Sequence, residues 1–131
     1  MGIPIPSSHL DLLHKPVLGH LATLMPDGSP QITPVWIDYD GTYLLVNTAQ
    51  GRVKDRNMRQ RPQVALDIVD PANPSRKMII RGRVLDVTAE GADAHIDRLS
   101  QRYVGTETYP SRIPGEIRVI VKILPEKIFA E

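Results

Sequence analysis

Twelve prolines and nine glycines cut this chain of 131 residues into short pieces, a punctuation that favours strands over a helical bundle. The chain reads as mainly β and as one domain over residues 1–131. Val17 to Met25 is a strand, Pro26-Asp27-Gly28-Ser29 a turn, and Pro30 to Tyr39 a second strand. Asp40-Gly41 is a strong hairpin signal, and Thr42 to Thr48 follows as a third strand. Gln63 to Val69 and Lys77 to Val87 are the fourth and fifth, joined by a rigid loop with two prolines, and Ile117 to Leu124 is the sixth.

Three segments read as helical. Ser7 or Ser8 caps a short first helix through about His14, with Leu10, Leu12 and Leu13 turned inward, until Pro16 stops it. Gly51 to Arg61 is a short basic helix ended by Pro62. From Ala89 to Val104, Ala92, Ile96, Leu99 and Tyr103 recur at steps of four, three and four, the stripe by which an amphipathic helix packs on a sheet. Six short strands with such helices fit a small antiparallel barrel, because closing the sheet removes its edges. A barrel this small gains stability and a deep cleft by pairing, so a homodimer is expected.

Several chemistries are excluded or disfavoured. No cysteine is present, which removes disulfides, thiolate nucleophiles and Cys-ligated metals and leaves a cytoplasmic protein as the expectation. No two glycines stand two apart, so no G-x-G-x-x-G loop exists; G-x-x-x-x-G-K, H-E-x-x-H and G-x-S-x-G are missing too. His9, His14, His20 and His95 show no metal-ligand spacing and read as surface or partly buried histidines without a role. No apolar run approaches the length of a membrane span, and the N-terminus lacks the pattern of a secretory signal.

Charge is the informative feature. Over Gly51 to Arg61 five cations, Arg52, Lys54, Arg56, Arg59 and Arg61, stand against Asp55, giving +4, and the remaining residues carry −3 in a chain of formal charge +1. A helix start with an Arg fork and a Lys ammonium suits a phosphate monoester. The alternative is a solvated basic helix. A nucleic-acid grip is disfavoured by the near-neutral total and by an aromatic content of 5%.

Pro26-Asp27-Gly28-Ser29-Pro30-Gln31, Pro34-Val35-Trp36, Asp40-Gly41, Gly51-Arg52-x-Lys54-x-x-Asn57 and Arg61-Pro62 occur in this order. Val69-Asp70-Pro71, Arg81-Gly82-Arg83-Val84 and Arg118-Val119 follow. The set resembles the flavin-binding split-barrel family that includes pyridoxamine phosphate oxidase, and most of all its small branch that uses the deazaflavin coenzyme F420. The resemblance spans nearly the whole chain and implies a six-stranded antiparallel split β-barrel of the FMN-binding type with short flanking helices.

It also implies a site. Main-chain groups of Thr33, Pro34, Val35 and Trp36 would line the flavin ring, although a lone Trp on a strand is equally a core aromatic. Asn47 and Thr48 would touch the ring or ribityl chain, Arg52 and Lys54 would hold the phosphate, and Asn57 would brace the helix. The loop Tyr109 to Arg112, with both end residues at the site, would reach across the dimer to the partner's ring. The implied activity is that of an oxidoreductase moving hydride between coenzyme F420 and a small unsaturated organic substrate. An acidic oligoglutamate tail would meet Arg56, Arg59 or Arg112. FMN is the alternative cofactor, and a protein that binds cofactor without turnover is a further alternative. No catalytic side chain is expected, because in such proteins the cofactor performs the hydride chemistry. The chain lacks a counterpart of the oxidase's C-terminal substrate-binding segment, which argues against a B6 vitamer.

Overall fold

A computed structural model describes residues 2–131. Seven strands form one antiparallel sheet: β1 (Gly19–Leu24), β2 (Pro30–Val35), β3 (Ile37–Tyr39), β4 (Leu44–Ala49), β5 (Gln63–Val69), β6 (Lys77–Thr88) and β7 (Arg118–Ala130). Their order across the sheet is β2-β1-β5-β6-β7-β4-β3. The helices are α1 (Asp11–His14), α2 (Val53–Gln60) and α3 (Ala92–Val104), with a 3₁₀ turn at Ser7–His9 ahead of α1. Leu13, Leu21, Ile37, Leu44, Val46, Ile68, Met78, Ile80, Val121 and Ile123 fill the interior. Among the described residues no helix is long and apolar enough to cross a membrane.

The seventh strand comes from a break. The run Pro30 to Tyr39 is not one strand: it divides at Trp36, so that β2 pairs with β1 while β3 pairs with β4 at the opposite edge of the sheet. The chain itself bridges the two edges, and the barrel is split there instead of being closed by hydrogen bonds. Tyr103 on α3 pins the crossing. Its hydroxyl accepts from the Ile37 N–H at 3.0 Å and donates to the Val17 carbonyl at 2.7 Å, so main-chain groups freed by the break keep partners. Its ring stacks on Trp36 with centroids 5.3 Å apart.

Other boundaries move for local reasons. Asp40 Oδ1 accepts from the Thr42 and Tyr43 N–H groups, which widens the Asp40-Gly41 turn and starts β4 at Leu44. β7 runs past Pro125 to Ala130, because Pro125 sits opposite Gly82 at an irregularity between β6 and β7, where no ladder donor is needed. The first helix is only the 3₁₀ turn and the single turn of α1; neither Ser7 nor Ser8 caps it, and Leu12 and Leu13, more than Leu10, face the core. The stripe on α3 is as expected, with Ala92, Ile96 and Leu99 buried. His9 and His95 are buried more fully than the expected surface or partly buried histidines, because each has partners inside: His9 Nε2 bonds the Glu131 carbonyl, and His95 lies between Asp38 and Asn47.

α2 is seated by its polar residues. Asn57 Nδ2 donates to Thr23 Oγ1 at 3.0 Å, and Arg61 Nε donates to the Leu24 carbonyl at 2.8 Å, which ties the helix and its exit to β1. Asp55, fully buried, accepts from the Gly51 N–H and from Arg59. The basic segment is therefore anchored at four of its side chains, and the two cations nearest its start remain for other work.

Candidate functional site

A cleft of about 280 Å³ opens where the split brings the end of β2 toward β4 and β7. Pro34, Val35 and Trp36 form one wall, and Asn47, Arg118 and Tyr109 stand opposite. Arg52 and Lys54 enter from the start of α2, and Leu18 and Ile96 complete the apolar part. Seven of the ten residues expected at the site thus meet in one cavity. Thr33 stands just outside, where its hydroxyl accepts from Lys54 Nζ at 3.1 Å. Thr48 does not line the cleft: it is buried on β4 with the parity of Leu44 and Val46, its hydroxyl without a hydrogen-bond partner among the described residues. Arg112 lies in a neighbouring hollow with Asp93, Ile113, Pro114, Glu116 and Arg118.

The electrostatics are one-sided. Burial, with Arg52 and then Arg118 beside it, pushes the Lys54 ammonium below its ordinary pKa. Two of these cations share one carboxylate: Glu116 accepts from Arg118 at 2.8 Å and more loosely from Arg52 at 3.4 Å. Its hydrogen bond to Arg118 holds the Glu116 carboxyl below the usual range. Such a surplus of positive charge in a half-buried place is stabilised by an incoming anion. The helix start itself contributes less than its sequence promised, since Asp55 already occupies the Gly51 N–H.

Arg118 belongs to the Arg118-Val119 motif of the resemblance but is not among the site residues it implies. Its signal is a cation that opens a strand of apolar alternation two residues after Glu116; in the structure it is buried and donates from Nε to Asn47 Oδ1 at 2.9 Å. Its guanidinium also lies 5.2 Å from the centre of the Tyr109 ring. Tyr109 meets Trp36 edge to face with centroids 5.9 Å apart. The loop carrying Tyr109 therefore covers its own cleft. The reason is local: the Tyr109 N–H donates to Asp97 at 2.8 Å, and Arg112 bonds Asp93 and Asp97, all on its own α3. Arg56 turns back to the Gly51 carbonyl and Arg59 pairs with Asp55, so neither lines this cavity.

The sequence profile of pyridoxamine 5'-phosphate oxidase matches residues 5–130. The chain belongs to the pyridoxamine 5'-phosphate oxidase family. Within that family it is similar to a solved structure described as an F420 reductase, with 36% identity, 95% of this chain and 98% of that one covered, and a TM-score of 0.84. A conserved hypothetical protein of Mycobacterium tuberculosis shares 22% identity over 96% of this chain and 84% of its own, with a TM-score of 0.72. HupZ of Group A Streptococcus shares 20% over 96% and 93%, with a TM-score of 0.70. The latter two show the common fold. No curated protein matches the chain. Family membership makes the split barrel that of an oxidoreductase family.

Proposed function

We propose that this protein is an oxidoreductase that binds the deazaflavin coenzyme F420 in the cleft and moves hydride between it and a small unsaturated organic substrate. The observation that carries the reading is the convergence of Arg52, Lys54 and Arg118 beside the wall of Val35 and Trp36. A planar ring needs an apolar, aromatic wall, and a phosphate needs cations held close together; the cleft offers both within one cavity. The similarity to an F420 reductase favours the deazaflavin over FMN. When bound, the coenzyme supplies a carbon centre able to give or take hydride. The protein's residues do the rest. Arg52, Lys54 and Arg118 hold the phosphate, the backbone from Thr33 through the end of β2 to Trp36 orients the ring edge, and Leu18, Ile96 and Tyr109 keep water from the reacting face. Asn47 steadies Arg118. The neighbouring hollow shares Arg118 with the cleft, and an acidic tail reaching Arg112 there would compete with Asp93 and Asp97.

Trp36, the sole tryptophan, reports on binding by its own fluorescence. Titration with coenzyme F420 and with FMN should show tighter binding of F420. Its affinity should also fall more steeply with salt as the tail lengthens, since exposed charge contacts are screened over about 8 Å at physiological ionic strength. Tighter binding of FMN at every salt concentration, with no effect of tail length, would replace F420 by FMN in this reading.

The cleft is small for a ring and tail, just below the roughly 300–1,000 Å³ usual for ligand pockets, so a second copy is proposed to complete it. The outer face of the sheet supplies the surface. Pro34, His20, Asp67, Ile79 and Phe129 form one cross-strand row, and Ile32, Ala22, Ala65, Arg81 and Lys127 the next. Ile32 is 67% exposed and Phe129 54%, unusual for such side chains on a sheet, and Pro34 belongs to both this face and the cleft. The parent protein is expected to sediment as a homodimer at micromolar concentration, and Ile32→Glu to shift it to monomer with loss of cofactor affinity. A parent monomer that binds cofactor fully would refute the shared site.

A further inference from the structure

His95 is completely buried on α3 and does not itself line the cleft, but it touches Asn47, which does. Asn47 Nδ2 donates to the Ala92 carbonyl at 2.9 Å and faces His95 Nδ1 at 3.1 Å, while Asn47 Oδ1 accepts from Arg118 Nε at 2.9 Å. The other ring nitrogen, His95 Nε2, faces Asp38 Oδ2 at 3.1 Å. Asp38 in turn receives both terminal nitrogens of Arg102, each at 3.1 Å. These partners determine every proton. An amide has one donor end and one acceptor end, and Arg118 is a donor only, so Oδ1 must point to Arg118 and the NH₂ to His95. His95 Nδ1 must then be the acceptor and Nε2–H the donor to Asp38.

We infer that His95, oriented by Asp38, is a positioning residue that sets the Asn47 amide and through it aims the Arg118 guanidinium at the anion site of the cleft. A ring protonated at both nitrogens presents Nδ1–H to the Asn47 NH₂, two donors face to face. If the amide turns over to relieve this, its NH₂ meets Arg118 Nε–H and the same conflict appears one bond nearer the cleft. The first arrangement pushes the amide away from the ring and so loosens its hold on Arg118, and the second removes the acceptor outright. The anion site therefore works with neutral His95 and weakens when that ring gains a proton.

The groups around the ring do not obscure this dependence. Burial raises the Asp38 carboxyl, but hydrogen bonds from His95 and the Tyr39 N–H, with Arg102 alongside, outweigh it and bring it to about 2, so Asp38 stays ionised in mild acid. Glu116, the carboxylate on the far side of Arg118, is likewise held low. Among side-chain types, histidine is the one whose ordinary change of charge falls nearest neutral pH, which makes pH the lever on this network.

The inference rests on the cleft being a phosphate site, and the test separates the two. Trp36 fluorescence titrations compare coenzyme F420, whose phosphodiester holds its charge in this pH range, with its 5-deazariboflavin core, which lacks phosphate and tail. They are run on the parent, His95→Leu and His95→Asn, whose side-chain oxygen still accepts from Asn47. The parent is expected to prefer F420 strongly, His95→Leu to lose at least fivefold of that preference with affinity for the core unchanged, and His95→Asn to keep most of it. Lowering the pH from 7.5 to 5.5 should reduce the parent's preference and leave that of His95→Asn flat. A parent without preference defeats the phosphate site itself. A parent with preference whose His95→Leu variant retains it, or whose pH profile matches that of His95→Asn, overturns the positioning role. If His95→Leu fails to fold, the two pH profiles decide.

Discussion

Replacing Arg52 and Lys54 together by alanine is expected to lower affinity for the phosphate-bearing cofactor by about a hundredfold or more. Each charge-assisted hydrogen bond to a phosphate is worth roughly 1.5–3 kcal/mol, and two neighbours acting on one group do not simply add. The fold should survive. Arg52 is half exposed and its contact with Glu116 is long, at 3.4 Å, while Lys54 is a partly buried cation whose charge is opposed by burial and by Arg52 and Arg118. Removing Lys54 relieves that opposition at the loss of one hydrogen bond to Thr33. Cofactor titration and thermal unfolding of the same samples check both halves. Full affinity in the double variant would remove the anion cradle. Arg118→Ala is the wrong probe for this purpose: it strips partners from Asn47 and Glu116 and so mixes binding with stability.

Gly82→Ala should be the most damaging single methyl in the sheet. A Cβ built there lies 2.6 Å from the Leu124 carbonyl oxygen and 3.0 Å from Ile123 Cγ2, and the first of these is backbone, which yields only if β7 moves. Overpacking of this kind costs about 1–3 kcal/mol, and more where a strand register is disturbed. A melting temperature roughly 5–12 °C below the parent is the expected result, by the usual scaling for a domain of this size. Gly28→Ala is the contrast: it has open space around it but a φ of +85°, so it pays only local backbone strain, about 1 kcal/mol. Equal melting of the two variants would mean that β6 and β7 do not approach so closely in solution.

The same irregularity shows where reading a strand from its residues stops. Pro125 lacks the donor that a central strand needs, so the sequence ends β7 at Leu124; the structure carries it to Ala130 because the bulge opposite Gly82 asks for no donor there. The run Pro30 to Tyr39 alternates as one strand would, and nothing local marks Trp36 as a break. What breaks it is Tyr103, which lies far away in the chain and offers the Ile37 N–H a partner outside any sheet. The cleft was legible in part for the same reason. Arg52 and Lys54 stand out because their charges cluster in sequence, and the β2 residues and Asn47 because the family resemblance covers them. Arg118, Asp38 and His95 come from three separate elements, and nothing among the neighbours of each ties it to the other two.

Sequence by itself determined the mainly β class, the turns at Pro26-Asp27-Gly28-Ser29 and Asp40-Gly41, the apolar stripe of α3 and the basic start of α2, since all of these are properties of residues within one helix turn or one hairpin. Tertiary structure decided the split at Trp36, the own-chain placement of Tyr109, and which of five clustered cations face the cleft: Asp55, Asn57 and main-chain carbonyls engage Arg56, Arg59 and Arg61, leaving Arg52 and Lys54 to join Arg118. A charge is written in the sequence, but its direction depends on partners that only folding brings within hydrogen-bond reach.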